Sequence, residues 1–452
     1  LTIPDTVTKI GEEAFSCCQG LTTLNITDSI TEIGDEAFKE CKKLKTVNLP
    51  DSVTKIGYCA FMLCEALTTV NIPESVTELG QCAFGYCKSL KTINIPKSIT
   101  KIGKTVFKAC EGLTSLVIPD TVTEIGGGAF MECAGITTLV IPDTVTKIGE
   151  TAFGYCSSLT TLTIPDSVAE IGKNAFRKCK GLTTVSISNS VAEIGESVFK
   201  DCESLETLTL PNSVTKIDKE AFAGCKGLTT VSISNSVAEI GEKAFKECVG
   251  LKSLVIPDSV KEIGMYAFSG CAGLKKLTIS NSITFIGHYA FEDCESLTTL
   301  TIPNSVTRIG SCAFSGCKKL KTLNIPNSVI EVGPCVFMDC EGLTTLVIPD
   351  SLREIGYSAF SGCAGLKSVT IPASVSGLQR RIFRKCSQLR NVTVLNSVPP
   401  FLEEDVYFQF DKSTLEEGTL YVPAGSVEAY ANAKGWNMFK KIKEIDPNET
   451  SN

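Results

Sequence analysis

The chain has 452 residues, with 43 Lys or Arg against 50 Asp or Glu and a formal charge of -7, which argues against a basic nucleic-acid surface. Its single histidine, His288, excludes a multi-histidine metal site and leaves room for one Ser–His or Cys–His pairing at most. With 43% apolar and 21% charged residues the composition is that of a protein with a large core, and no apolar run reaches the roughly 18 residues that would cross a bilayer, so no transmembrane segment is expected.

The chain opens at Leu1 in a strand-like phrase without Met, a basic stretch or an apolar signal core. Leu1 is therefore expected to follow a processing boundary, with an uncapped first unit whose edge suits weak self-association. A period of 23 residues follows: Phe recurs from Phe15, Phe38 and Phe61 to Phe383 without insertion, which accounts for 17 of the 22 Phe. Three residues after each stands a Cys, from Cys18 to Cys386. Four residues before most stands a Gly, replaced only by Asp218 and Gln379.

The unit that begins at Leu44 places Leu44, Val47, Leu49, Val53, Ile56, Ala60, Phe61 and Cys64 as inward candidates. The alternation of Val47 and Leu49 predicts a short strand with one buried face; Pro50 ends it, and Asp51-Ser52 makes a turn. Gly57 reads as a position tolerant of positive φ, and Ala60, Phe61 and Cys64 as one face of a single helical or 3₁₀ turn. Such a unit cannot bury its own apolar face. It must stack on its neighbours, so the strands form a parallel sheet, with the phenylalanines as an internal spine in one elongated body about 80 Å long at roughly 4.8 Å per strand.

The pattern Leu-x-x-Leu-x-Leu with this period, and the phrase from Ile164 to Cys179, resemble the BspA-like branch of the leucine-rich-repeat family. The resemblance covers residues 1 to about 395. It implies a right-handed α/β solenoid, with the parallel sheet on its concave face and short helical or 3₁₀ turns on its convex face. It also implies surface-exposed proteins of anaerobic bacteria and some protist parasites, several of them adhesins, with no catalytic residue to carry over. Two domains are expected: a solenoid over 1–395 and a capping segment over 396–452.

After Asn396 the period stops. Pro399-Pro400 breaks the strand, and Glu403, Glu404, Asp405, Glu416 and Glu417 are locally acidic. Leu420-Tyr421-Val422-Pro423 reads as a last strand, then a helix from about Ala424 to Ala433, with Trp436, Phe439 and Ile442 at helical spacing. The phrase from Tyr421 to Ser426, with Trp436, resembles the terminal segment of exported repeat proteins of the Bacteroidetes type.

Candidate chemistry is sparse. The 17 ladder cysteines read as inert core thiols, with Cys17 outside the ladder. Cys59 and Cys82, and again Cys312 and Cys335, occupy one repeat position in adjacent units. Glu13, Glu36, Lys243 or Arg381 stand there elsewhere, so the position is expected to face solvent and the two pairs are candidate disulfides. A zinc site of Cys59, Cys64, Cys82 and Cys87 fails because Cys64 and Cys87 should point inward. Gly103-Lys104-Thr105 lacks the upstream Gly of a phosphate loop, since Ser98 stands there, and Gly126-Gly127-Gly128 lacks a following helix. The row Asp120, Asp143, Asp166 suits calcium in principle, but Asn189, Asn212 and Asn235 replace it, which favours a turn role. Lys9, Glu32, Lys55, Glu78, Lys101, Glu124, Lys147 and Glu170 alternate in sign, which favours register.

The surface left for function is the outward side of the sheet. Its rows run Thr23, Thr46, Thr69, Thr92 and Asn25, Asn48, Asn71, Asn94, the second continuing as Val117, Val140, Thr163 and Ser186. Thr and Val favour strands in any case, yet the rows also suit hydrogen bonds to a sugar or an extended peptide. Tyr86, Tyr155, Tyr266 and Tyr289, near the helical return, are alternative contacts. The expectation is a non-enzymatic secreted or surface-attached protein without cofactor, binding a protein or glycan, extracellular matrix included, in adhesion. A structural spacer is the first rival, and a hydrolase built on His288 the remote one.

Overall fold

A computed structural model describes residues 1–403 and 406–446. Glu404 and Asp405 of the acidic stretch lie outside the described residues. The chain divides into two units, Leu1–Leu228 and Thr229–Asn452.

In the first unit every 23-residue repeat makes one coil with two strands, one more than the alternation pattern foretells. Thr46–Asn48 pairs in parallel and in register with Thr23–Asn25 and Thr69–Asn71. Lys55–Ile56 pairs likewise with Glu32–Ile33 and Glu78–Leu79. Two residues are enough for the second strand because Ile56 is buried while Lys55 lies toward solvent, the period-two rule at its shortest. Between them Val53 N–H donates to Pro50 O at 3.1 Å, closing the turn, and the Ser52 hydroxyl donates to Ile30 O of the preceding coil at 2.6 Å. The charged row pairs as expected: Lys9–Glu32, Lys55–Glu78, Lys101–Glu124 and Lys147–Glu170 meet at 2.9 to 3.2 Å.

Of the eight inward candidates in the unit that begins at Leu44, seven are buried and Leu49 is half-buried. The rings stack plane on plane, from Phe15–Phe38 at 5.3 Å to Phe199–Phe222 at 5.5 Å, an offset geometry that keeps like rings in contact.

The return past Phe is not a helix. Residues two before and two after Phe have positive φ, as in Glu36 (53°) and Glu40 (58°). Every non-glycine residue of positive φ among the described residues falls on one of these two positions. Alternate amides then point at the next coil: Glu36, Phe38 and Glu40 donate to the carbonyls of Tyr58, Ala60 and Met62 at 2.7 to 2.8 Å. The intervening amides of Ala37, Lys39 and Cys41 close i to i−3 turns within the coil at 3.1 to 3.4 Å. A left-handed L-residue costs about 1 kcal/mol, and the coil-to-coil hydrogen bonds offset it.

The repeated Gly serves a different purpose from the one its spacing suggests. Gly57 does not have positive φ; a Cβ there would lie 2.7 Å from the backbone of Asp35 and Gly34 one coil back. The Gly row lets consecutive backbones touch.

The second unit builds the same coil. Its rings stack from Phe245–Phe268 at 5.3 Å to Phe360–Phe383 at 6.0 Å. Thr345–Val347, Ser368–Ile371, Asn391–Val394, Thr419–Val422 and Ile442–Glu444 form one parallel sheet. Thr419–Val422 is thus not the last strand, and Ile442 opens a further strand instead of continuing a helix. The helix there is Val427–Asn432, followed by a 3₁₀ turn, Trp436–Met438.

The irregular C-terminal coils cap the repeat. Phe410 stacks on Phe383 at 5.8 Å and so extends the spine, although four extra residues hide it from the period. The side chain of buried Gln409 accepts Ile382 N–H at 3.2 Å and donates to Gln379 O at 2.6 Å, and Asp411 accepts Lys385 N–H at 3.0 Å. Trp436, buried, donates its Nε1–H to Pro400 O at 2.8 Å. Asp411 thus takes a forward-pointing amide that a further coil would otherwise take, and Gln409 and Trp436 satisfy further backbone groups at this end.

Candidate functional site

Strand alternation sends Leu24, Val47, Val70 and Ile93 into the core and their neighbours outward, so the Thr and Asn rows stand exposed in register. Thr46, Asn48, Thr69, Asn71, Thr92, Asn94 and Val117 line one shallow hollow of about 510 Å³. Within it Asn94 donates its side-chain amide to Asn71 Oδ1 at 3.3 Å. Val117 and Val140 pair side by side, 71% and 75% exposed, so the amide row runs into an apolar step. Thr23 and Asn25 pair with Thr46 and Asn48 at the edge of this face.

The tyrosines lie on the return side, on two different columns. Lys108 sits over Tyr86 at 5.3 Å and Lys178 over Tyr155 at 5.0 Å. Tyr266 and Tyr289 stack at 4.4 Å, with Lys243 and Lys246 over Tyr266. Tyr86, Tyr155 and Tyr266 are thus engaged with the protein's own cations, and Tyr289 with Tyr266.

From Cys41 on, the ladder thiols are buried and donate to the Phe carbonyl one coil back, as Cys64 to Phe38 O and Cys87 to Phe61 O, both at 3.3 Å; Cys18 is exposed and so is not the core thiol its column predicts. Burial pushes the Cys87 and Cys179 thiols up to about 12, so they stay protonated and unreactive at neutral pH. Cys64 and Cys87 are therefore turned away from Cys59 and Cys82, and no group of three metal-ligating side chains occurs among the described residues.

The position two before Phe does not face solvent as its charged occupants suggest. Cys59 is 3% exposed, and Cys82, Cys312 and Cys335 are half-buried. Of the charged occupants of this position, Glu13 and Arg381 are exposed, whereas Glu36 and Lys243 are half-buried and pair with Lys39 and Glu242.

The remaining candidates are accounted for by the coil. His288 Nδ1 accepts Ser311 N–H at 2.9 Å, which ties neighbouring coils together. Asp120 is exposed and pairs with Lys97 at 3.5 Å. Gly103-Lys104-Thr105 and Gly126-Gly127-Gly128 do meet, lining a hollow of about 700 Å³. Their amides are spent there, with Thr105 N–H on Gly127 O and Gly128 N–H on Glu150 O, so these donors are not available to cradle a phosphate. No helix among the described residues is long and apolar enough to cross a membrane.

Comparison with known proteins agrees with this geometry. The chain is similar to a leucine-rich repeat protein from Bacteroides ovatus, with 29% identity over 80% of this chain and 86% of that one and a TM-score of 0.63. A leucine rich cell surface protein from Faecalibacterium prausnitzii shares 28% identity over 87% of this chain and 86% of that one, with a TM-score of 0.43. The T. pallidum leucine rich repeat protein shares 29% identity over 40% of this chain and 77% of that one, with a TM-score of 0.31. Among proteins of curated function none matches the chain. The description "BspA type Leucine rich repeat region" matches residues 1–114, 100–229, 215–344 and 308–417. With that match extending over residues 1–417, the chain belongs to the BspA-type leucine-rich repeat family.

Proposed function

We propose that this chain is a non-enzymatic binding protein, secreted or held at a cell surface, that takes a protein or glycan ligand along the Thr and Asn rows of its outward sheet face. The observation that carries the reading is the in-register exposure of Thr46, Asn48, Thr69, Asn71, Thr92 and Asn94 around one hollow, beside the bare apolar step of Val117 and Val140. A face of repeated hydroxyls and amides at the coil spacing offers an extended partner many weak hydrogen bonds, so affinity accumulates with the number of coils engaged. It lacks the Trp, Tyr or Arg anchors of a compact hot spot, which favours a long ligand over a small epitope.

The test is a binding screen of the purified chain against extracellular-matrix proteins and glycans, repeated with Asn71→Arg. Saturable binding that weakens about tenfold or more in the variant supports the reading. No saturable binding at high micromolar concentration favours a spacer that only displays other segments.

A further inference from the structure

We propose that Cys59 with Cys82, and Cys312 with Cys335, are two built sites for thiol–disulfide exchange, each closing an intercoil disulfide while the core cysteine ladder stays reduced. The inference is independent of any ligand on the sheet face. Within each pair the residues hold the same place in consecutive coils. Cys59 N–H donates to Gln81 O at 3.0 Å and Cys82 N–H to Lys104 O at 3.2 Å; Cys312 and Cys335 donate to Pro334 O and Tyr357 O, both at 2.9 Å. Their backbones also match, with φ of 50° and 61° in one pair and 55° at both residues of the other. Matched residues one coil apart lie at about the strand spacing of 4.8 Å, inside the Cα range that a disulfide spans.

Within each pair the thiols lie close enough that charge on Cys82 disfavours ionising Cys59, and charge on Cys335 disfavours ionising Cys312. Cys82, Cys312 and Cys335 are half-buried, so in each pair at least one side chain at the rim can rotate to close the bond, while Cys59 is buried. The ladder differs in burial and in what its thiols bond. Cys64 and Cys87 are wholly buried and spend their S–H on Phe carbonyls, beside rings stacked at centroid distances of 5.3 to 5.4 Å.

The oxidant is a low-molecular-weight disulfide such as oxidised glutathione. One thiolate of the pair attacks it, releasing one reduced thiol and leaving a mixed disulfide. The neighbouring thiolate then displaces the second reduced thiol and forms the protein S–S bond. Two protein thiols are oxidised, one oxidant disulfide is reduced, and both protons end on the released thiols. Burial raises the Cys59, Cys312 and Cys335 thiols, so exchange quickens as pH rises.

The folded full chain is incubated with oxidised glutathione, quenched with acid, alkylated and mapped by mass spectrometry without reduction. The expected result is peptides joined through Cys59–Cys82 and Cys312–Cys335, with Cys64, Cys87 and the other core cysteines recovered alkylated only after denaturation. The double variant Cys59→Ser, Cys335→Ser, folded by circular dichroism, is expected to carry glutathione on Cys82 and Cys312 in place of the cross-links. Recovery of the four cysteines in the unsubstituted chain as free thiols or stable glutathione adducts overturns the proposal, as does scrambling with ladder cysteines.

Discussion

The thiol of Cys156 donates to the carbonyl oxygen of Phe130, one coil back, at 3.3 Å. The same contact recurs down the ladder, so the Cys column is a row of donors as well as a small apolar filler. It satisfies the second lone pair of a carbonyl that the Phe column carries into the core.

This arrangement makes stability depend on alkaline pH. Burial raises the thiols of Cys87, Cys179, Cys271, Cys317 and Cys363 from 9.0 to about 12. Below 9.0 folded and unfolded chains both keep these protons. As pH climbs through the window from 9.0 to about 12, the unfolded chain releases them while the folded chain does not, and the folded state loses ground. The urea midpoint is expected to be flat between about pH 6 and 8 and to fall steadily above about pH 9. A midpoint unchanged at about pH 10.5 contradicts this account.

The Gly row predicts a contrast between two copies of one position. A Cβ on Gly149 would lie 2.6 Å from the backbone nitrogen of Gly127, whereas on Gly195 its nearest neighbour is Ile171 O at 3.6 Å. Gly149→Ala is expected to cost roughly 2 kcal/mol or more and Gly195→Ala less than about 1 kcal/mol, read from paired denaturation curves. Equal effects would show that coil contact is not what the glycine serves.

Removing one ring interrupts the spine locally. Phe153, wholly buried between Phe130 and Phe176, should cost about 3–5 kcal/mol as Phe153→Ala. Because coils bear chiefly on their neighbours, hydrogen exchange should rise most in the coils carrying Phe130 and Phe176. Uniform acceleration throughout the first unit would point to a single cooperative block instead.

At the C-terminal side, Gln409→Leu keeps the volume but strips Ile382 N–H and Gln379 O of their partner. The expected loss is about 1–3 kcal/mol, with faster exchange of the Ile382 amide as the specific readout. An Ile382 amide as slow as in the unsubstituted chain would remove Gln409 from the capping role.

The coil, its core face and its charge register were legible from the sequence because the repeat places the same residue types in the same environment seventeen times. Val47, Ile56, Phe61 and Cys64 could point only inward, since each neighbouring copy points the same way. Spacing also identified the outward Thr and Asn rows, because strand alternation leaves them no other side. The left-handed residues flanking Phe left no mark, because Glu, Cys, Tyr and Lys all occupy those places. The conformation is imposed by amides reaching into the next coil, not by any local preference. For the same reason the Gly row looked like a φ signal when it is a contact signal. Phe410 belongs to the spine although it breaks the period, and Cys59 is buried although charged residues hold its place in other coils. The residues themselves decide which side chains avoid water; which backbone groups meet depends on coils stacked one on another, a long-range condition that no single repeat carries.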